Sequence, residues 1–215
     1  MEFKRARNAK QKDQLINQIL EVTEELFLQH NYGEITLAMI ANKLDYTRGN
    51  LYKYISTKEE IFLKMYAIKQ EDWVNEVVNS FPNNKTFSND YFVDKWSKIL
   101  SNHQCMLKIH SILGSIIETN VSLEKLAEFK KKVLTDLYKL IPIIQKQIPK
   151  LDYSETKNFL FTQLFYASEL YNNVNFSPIQ IKALELCGET YEKQSFYEAF
   201  RHFMKIFITG YSHIY

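Results

Sequence analysis

The chain is poor in the residues that punctuate β-structure. Its 215 residues include five glycines and four prolines, too few for the many tight turns of an all-β protein. Strand-like alternation of apolar and polar residues is nowhere sustained. Cysteine is scarce too: Cys105 and Cys187 lie far apart without the spacing of metal ligands, and we expect both to be buried free thiols. These absences favour an all-α fold.

The sequence also lacks long apolar runs. No stretch is long enough to span a bilayer, and the first residues lack the apolar segment of a signal peptide. We therefore expect a cytoplasmic protein with no membrane partner. Hydrophobic residues nevertheless make up 46% of the composition, enough for a substantial core in one large domain or in a small domain joined to a larger one.

The formal net charge of +2 is small for a protein that binds nucleic acid, but the positive charge is unevenly distributed. Residues 1–12 carry five basic side chains against Glu2 alone. Residues 43–58 carry four against Asp45 alone, namely Lys43, Arg48, Lys53 and Lys58. The two segments are predicted to form one basic face; ordinary solvated surface charge is the alternative.

Residues 36–60 carry the most informative pattern, two short helices joined by a tight turn. Thr36 is suited to cap the first helix, whose apolar positions recur at helical spacing: Leu37, Ile40, Ala41 and Leu44. Asp45 is the expected left-handed turn residue, and Thr47 is suited to cap the second helix. The pattern predicts a helix-turn-helix that enters the major groove of DNA.

A long helix should follow directly. Thr57 and Glu60 have the Thr-x-x-Glu spacing of a capping box, and the helix that they open, about residues 58–79, is too long for a small DNA-binding domain alone. We therefore expect a DNA-binding domain at 1–57 and a second domain at 58–215. Further helices are predicted at 12–30, with a glycine stop at Gly33, and at 88–101, 103–118, 122–147 with a kink or end at Pro142, 154–173, 178–187 and 191–212.

Thirteen positions stand in a fixed register: Ile40-Ala41, Thr47-Arg48-Gly49-Asn50-Leu51-Tyr52-Lys53-Tyr54 and Thr57-Lys58-Glu59. In this register the chain resembles the tetracycline-repressor (TetR) family of bacterial transcription regulators over about residues 12–66. It departs from the family at Asp45, where glycine is usual, and at Ile55, where an aromatic residue is usual. The resemblance implies an N-terminal helix-turn-helix DNA-binding domain and a C-terminal helical domain for ligand binding and dimerisation.

The resemblance also implies roles for individual residues. Arg48, Asn50 and Thr47 would read base edges, and Gly49 would allow close approach to the duplex. Contacts to phosphates would come from Thr36, Tyr52, Lys53, Tyr54 and Lys58.

Two further partners are implied for the second domain. The helices at 154–173 and 191–212 carry more apolar surface than one protomer readily buries, and in the family such helices form a four-helix dimer interface. Family members usually enclose a ligand cavity, for which the candidates are Tyr66, Trp73, Phe92, Trp96, His110, Tyr138, Phe161 and Phe165. Their walls suit a planar or amphipathic compound; ordinary core packing is the alternative for each.

Two other functions are compatible with an all-α chain. A helical-bundle metal enzyme would need Glu-x-x-His pairs, which the sequence lacks. Glu198 and His202, or His103 and His110, are spaced to share a helix face, but one such pair is more often a surface contact than a metal site. A DNA-binding regulator controlled by a protein partner is the second alternative. We expect a homodimeric transcriptional regulator rather than an enzyme, without metal or cofactor: a repressor released from double-stranded operator DNA by a small apolar or amphipathic ligand.

Overall fold

The computed structural model describes the backbone of residues 2–82 and 85–214, and the side chains in these ranges apart from residues 2–10, 48 and 212–214. All regular elements within them are helical, which confirms the predicted all-α class. Within the same residues, no helix is long and apolar enough to cross a membrane. The helices are α1 (Glu2–Gln29), α2 (Leu37–Lys43), α3 (Arg48–Leu51), α4 (Lys58–Ser80), α5 (Asn89–Asn102), α6 (Gln104–Ile112), α7 (Leu123–Leu137), α8 (Ile141–Gln147), α9 (Tyr153–Val174), α10 (Pro178–Leu186) and α11 (Phe196–Ile214).

The chain forms two compact units. The first unit consists of Met1–Ile68 with Ile112–Lys130, and the second consists of Lys69–Ser111 with Lys131–Tyr215. Helix α4 contributes residues to both. The edge of the first unit therefore does not coincide with the predicted boundary after residue 57, and the functional division into 1–57 and 58–215 stays a prediction.

The first unit packs α1 against α2 and α2 against α3. Its core is aromatic at the start of α4, where the ring of Phe62 meets Phe27 and Tyr32 edge-on, with centroids 5.0 Å apart in both pairs. Segment 112–130 belongs to the same unit because Phe129 packs on Tyr66, with centroids 5.9 Å apart. The start of α4 and this segment thus share one core with the helix-turn-helix.

The second unit is built around α11, which packs on α5 and α9, while α8 packs on α9. One face of α11 is buried at four-residue spacing, which is the helical repeat of an apolar stripe: Phe196, Phe200, Met204 and Ile208. The indole rings of Trp73 and Trp96 meet edge-on in the same core, with centroids 6.0 Å apart, and both side chains are fully buried.

The predicted first helix was wrong at its start. Helix α1 begins at Glu2 instead of residue 12 and ends at Gln29, one residue before the predicted end. Gly33 does not stop it: this glycine lies in a 3-10 turn, Tyr32–Glu34, and lacks the positive φ of a left-handed cap. The chain instead leaves the helix through extended Asn31, whose backbone N–H donates to the Glu34 carboxylate at 2.8 Å.

Two later helices also differ from expectation, and one predicted break is confirmed. Helix α6 ends at Ile112 and is followed by a π-helical turn, Leu113–Ile117. The break predicted at Pro142 within 122–147 is confirmed: the 3-10 turn Tyr138–Leu140 separates α7 from α8, and Pro142, in the first turn of α8, has no N–H to donate. Helix α11 begins at Phe196 instead of residue 191, since the Tyr191 hydroxyl donates to the Val174 carbonyl at 2.7 Å and holds that residue outside the helix.

The two cysteines are free, as predicted, but neither is buried. Cys105 is partly exposed and Cys187 is exposed. Cys187 ends α10, a helix that buries none of its own residues, which explains why its thiol remains at the surface.

Candidate nucleic-acid interface

Helix α2 begins and ends as the sequence predicts. The Thr36 hydroxyl accepts a hydrogen bond from the Met39 backbone N–H at 3.2 Å, which satisfies one of the donors left unpaired at a helix start. Ile40 and Ala41 point into the core. Asp45 then adopts the left-handed conformation, with φ of 55°. This conformation is better tolerated by aspartate than by most residues, so the turn forms without the glycine that is usual in the family.

Helix α3 is a single turn that presents its polar residues outward. The Thr47 hydroxyl accepts from the Asn50 backbone N–H at 3.3 Å and caps the turn. Leu51 and Ile55 are almost fully buried, with 1% of each exposed, and they fix the orientation of the turn on the core. The exposed side is formed by Thr47, Gly49, Asn50, Tyr52, Lys53 and Tyr54.

Seven of the nine residues predicted to contact DNA therefore lie at the surface around α2 and α3, and the other two are Arg48 and Lys58. Thr36 is exposed at the start of α2, and Tyr52 and Tyr54 have 44% and 38% of their surface exposed. A methyl group added at Gly49 would meet open space, so the protomer's own packing does not require a glycine there. The Arg48 side chain lies outside the described residues, and its role in base reading stays a prediction.

The basic face is less uniform than the sequence indicated. Lys43 pairs with Glu25, with Nζ and Oε2 3.1 Å apart, and the Lys53 ammonium donates to the Asn50 side-chain oxygen at 3.2 Å. The Lys43–Glu25 pair neutralises one of the positive charges counted in residues 43–58. The Lys53–Asn50 contact links a predicted phosphate contact to a predicted base reader.

Lys58 has a structural role that the sequence did not indicate. Its ammonium donates to the backbone carbonyls of Tyr32, at 2.8 Å, and Ile35, at 2.9 Å. It also lies 3.8 Å from the centroid of the Tyr32 ring, a cation–π distance. Burial lowers the pKa of Lys58, against the opposing effect of the neighbouring Glu59 carboxylate. The Tyr32 hydroxyl in turn donates to Glu59. We call Tyr32, Lys58 and Glu59 the α4 clamp.

The predicted capping box forms only in part. The Thr57 hydroxyl accepts from the Glu60 backbone N–H at 3.3 Å, as expected. The Glu60 carboxylate, however, accepts from the N–H of Ser56 at 3.4 Å instead of that of Thr57, and it also forms an ion pair with Lys125. The predicted hydrogen bond from the Thr57 N–H to the Glu60 carboxylate is therefore wrong, because that carboxylate is instead drawn to Lys125 of the segment 112–130.

Comparison with known families agrees with this geometry. Residues 19–65, which contain the helix-turn-helix, match the family model described as bacterial regulatory proteins, tetR family. Residues 68–214 match the model described as tetracyclin repressor-like, C-terminal domain. The chain belongs to the TetR family.

A similar protein is the HTH-type transcriptional regulator QacR of Staphylococcus aureus, which is 34% identical over 77 residues. That match covers 34% of this chain and 41% of QacR, so the chain spans less than half of its relative's length. The TetR family consists of DNA-binding transcriptional regulators and not of enzymes, and the chain belongs to it over both matched regions.

The residues predicted to line a ligand cavity fall into separate places in this TetR-family chain. Trp73, Phe92 and Trp96 share one buried aromatic cluster in the second unit, where Phe92 and Trp96 have centroids 5.3 Å apart. Around Phe165, which has 60% of its surface exposed, lie His110 and Phe161, with ring centroids 6.0 and 6.3 Å away.

The remaining two candidates lie elsewhere. Tyr138 is partly exposed, with the Lys157 ammonium 5.1 Å from the centroid of its ring. Tyr66 is buried in the first unit against Phe129. The ligand-binding role of all eight residues stays a prediction.

Three groups of residues near the candidate sites were not predicted from sequence. Tyr46 has 39% of its surface exposed and stands directly before the Thr47 cap. Its aromatic side chain beside the predicted recognition turn was the signal that could have placed it at the DNA-binding surface. The α4 clamp joins Tyr32 to Lys58 and Glu59, which follow it by 26 and 27 positions, and so left no local pattern. Lastly, three buried polar atoms have no hydrogen-bond partner among the described residues: Gln70 Oε1, Trp73 Nε1 and Ser97 Oγ.

Proposed function

We propose that the protein is a homodimeric repressor that occupies operator DNA in the cytoplasm and leaves it when a small apolar or amphipathic ligand binds the second unit. The observation that carries the ligand response is the set of unpartnered buried polar atoms on Gln70, Trp73 and Ser97. Buried polar groups are normally hydrogen-bonded, and leaving one unpaired costs roughly 1–3 kcal/mol. A ligand that supplies these bonds recovers that free energy.

Operator reading is proposed to rest on α2 and α3. Asn50, Thr47 and Arg48 contact base edges, and Thr36, Tyr52, Lys53 and Tyr54 contact phosphates. Asn50→Ala should cost about 1–3 kcal/mol on the operator and relax the preference at one base position. Lys53→Ala should weaken binding to all sequences alike and reduce the salt dependence by about one phosphate contact. An equal loss on operator and random DNA for Asn50→Ala would refute its role in base reading.

Dimerisation is supported by apolar surface that α9 and α11 leave uncovered. Phe165 and Ile206 each have 60% of their surface exposed, and Tyr166, at 38%, stacks on Phe203 with ring centroids 3.7 Å apart. Contiguous exposed patches of large apolar side chains indicate a protein partner, and a second copy fits a regulator that must hold two half-sites at a fixed spacing.

Ile206→Glu tests the dimer without disturbing the protomer, because the side chain is already mostly exposed. Phe200, by contrast, is fully buried within the protomer, so a charge there would unfold the chain. Ala127→Glu adds the same carboxylate at an exposed position of α7, outside the proposed interface of α9 and α11, and serves as the control. Sedimentation at micromolar concentration should show a dimer for the wild type and Ala127→Glu, and a monomer for Ile206→Glu. A monomeric wild type would refute the dimer.

The switch is proposed to act through α4, which runs without a break from Lys58 of the α4 clamp to the region of Gln70 and Trp73. A ligand shifts the protein away from the operator-binding conformation only by as much as it prefers the other conformation; a hundredfold preference is worth about 2.7 kcal/mol. Operator DNA must then weaken ligand binding by the same factor.

A thermal-shift screen of apolar and amphipathic compounds identifies ligands, and each hit is then titrated against protein with and without operator. We expect at least one hit whose affinity falls on operator binding by the factor by which it weakens the operator. Hits that bind equally well with and without operator would refute the ligand-responsive switch.

A further inference from the structure

The second unit contains a cavity that the predicted ligand residues did not locate. It has a volume of about 250 Å³ and lies between the segment that follows α4 and the end of α8. Aromatic and aliphatic side chains supply its apolar lining, in particular Phe81, Phe87, Phe92 and Ile143. Of the eight side chains predicted to bind a ligand, Phe92 is among the lining residues of this cavity.

The walls of the cavity are held in place. Phe81 meets the ring of Phe87 edge-on, with centroids 5.4 Å apart, and the ring of Phe92 at 5.0 Å. The Gln147 amide group donates to the Phe87 carbonyl at 3.3 Å and to the Asn89 side-chain oxygen at 2.6 Å. These bonds tie the end of α8 to the opposite wall. The cavity is thus preformed, which lowers the entropic cost of binding.

The charge around the cavity has one sign. Lys85 and Lys146 both line it and both are exposed. The lining residues, all of them within the described part of the chain, include no aspartate or glutamate. Two ammonium groups at the edge of an aromatic pocket complement an anion with a flat apolar body, because the rings cover the body while the ammoniums pair with the negative group.

We propose that this cavity binds a compact aromatic carboxylate of one or two rings. Its volume of about 250 Å³ lies below the range of about 300–1,000 Å³ that is typical of pockets for drug-sized ligands, which favours a compact ligand. The carboxylate pairs with Lys85 and Lys146, and the ring packs against Phe87 and Ile143. The described lining residues of this cavity do not include Gln70, Trp73 or Ser97, so it is a separate site from the unpartnered polar atoms of the proposed function. The proposal names an effector class for this cavity. Its regulatory consequence alone rests on the proposed function, since binding itself needs no operator.

Isothermal titration of the wild-type protein with 2-naphthoate and with 2-naphthylmethylammonium tests the sign of the charge, because the two probes share a two-ring body. We expect 2-naphthoate to bind at least tenfold more tightly, a difference of about 1.4 kcal/mol. Absence of 2-naphthoate binding at millimolar concentration, or equal affinity for the two probes, would overturn the proposal.

Substitutions locate the site. Lys85→Gln and Lys146→Gln remove one charge each from exposed positions and should each weaken 2-naphthoate binding about fivefold, roughly 1 kcal/mol. Phe87→Leu keeps an apolar side chain but removes the ring, and should also weaken binding. Lys182→Gln, at an exposed position of α10, is the matched control and should change affinity less than twofold. Equal effects at positions 85, 146 and 182 would overturn the assignment to this cavity.

Operator release is measured separately, by titrating 2-naphthoate into the protein–operator complex. We expect release with the wild type and a correspondingly higher midpoint with Lys85→Gln. Tight binding without release would overturn the effector role while leaving the binding site in place. Failure to bind, together with release by other compounds, would overturn the site and leave the proposed function standing.

Discussion

Lys58→Met removes the ammonium of the α4 clamp while keeping an apolar stem of similar length. The ammonium donates to two backbone carbonyls, those of Tyr32 and Ile35, and a hydrogen bond with a charged partner contributes about 1.5–3 kcal/mol net. Part of this is offset by the cost of burying the charge, which the lowered pKa of Lys58 reflects. We therefore expect the substitution to lower the free energy of unfolding by about 1–2 kcal/mol.

Urea unfolding followed by circular dichroism measures this loss. With a slope of about 2 kcal/mol per molar urea, the midpoint should fall by roughly 0.5–1 M. The matched control is Lys64→Met, which removes an ammonium from an exposed position of the same helix. A surface substitution of that kind usually changes stability by less than about 0.5 kcal/mol.

The same variant decides between two roles for Lys58. If its ammonium stays on the two carbonyls in the DNA complex, Lys58→Met leaves the salt dependence of operator binding unchanged, whereas Lys53→Met reduces the slope by about 0.9 for the lost phosphate contact. Unchanged stability of Lys58→Met with a reduced salt slope would refute the clamp and restore the phosphate contact that the family resemblance implies.

Three further predictions concern stability. Asp152→Ala removes the cap of α9, where the aspartate accepts from the Glu155 backbone N–H at 2.7 Å, and should cost about 1 kcal/mol in urea unfolding. Burial, with a smaller effect of Glu118, raises the pKa of Tyr66 in the folded protein, whereas the unfolded tyrosine titrates near pH 10. Because the unfolded state then loses its proton first, the free energy of unfolding should fall as the pH rises above about 10. In Tyr66→Phe, which cannot titrate, the fall should be less steep. Ser97→Ala removes a hydroxyl without a partner among the described residues and should be neutral or stabilising in thermal unfolding. The control is Ser168→Ala, which removes a hydroxyl that donates to the Phe165 carbonyl at 3.0 Å. Losing this hydrogen bond should lower the free energy of unfolding by about 1 kcal/mol.

The helix-turn-helix could be predicted from sequence because its determinants are local. The caps at Thr36 and Thr47 each accept from a backbone N–H three residues ahead, and the left-handed residue Asp45 lies between the two helices. Interactions of this range leave a fixed spacing in the sequence. The predicted exposure of α3 followed from the same pattern, since the apolar positions Leu51 and Ile55 determine which side faces outward.

Features that depend on distant partners could not be predicted in this way. Lys58 meets the carbonyl of a residue 26 positions earlier, Glu60 pairs with Lys125, and Tyr191 is held outside α11 by Val174. Each of these three residues fits a local pattern that the tertiary contact overrides. The sequence could not separate ligand-binding residues from core residues for a related reason: an aromatic residue at helical spacing has the same pattern whether it packs in a core or lines a cavity.

The distribution of charge at the proposed DNA-binding surface indicates that one protomer alone offers few contacts to phosphates, and that the proposed dimer would supply the rest. Of the basic residues in 43–58, Lys43 is paired with Glu25 and Lys58 is held by two carbonyls, so fewer ammonium groups are available for phosphates than the sequence indicates. Non-specific affinity arises mainly from such charges, and one protomer should therefore bind random DNA weakly. A second copy doubles the number of contacts only on DNA whose half-sites match its spacing. In a protein with a formal charge of +2, we therefore expect selectivity for the operator to depend on the proposed dimerisation more than on total charge.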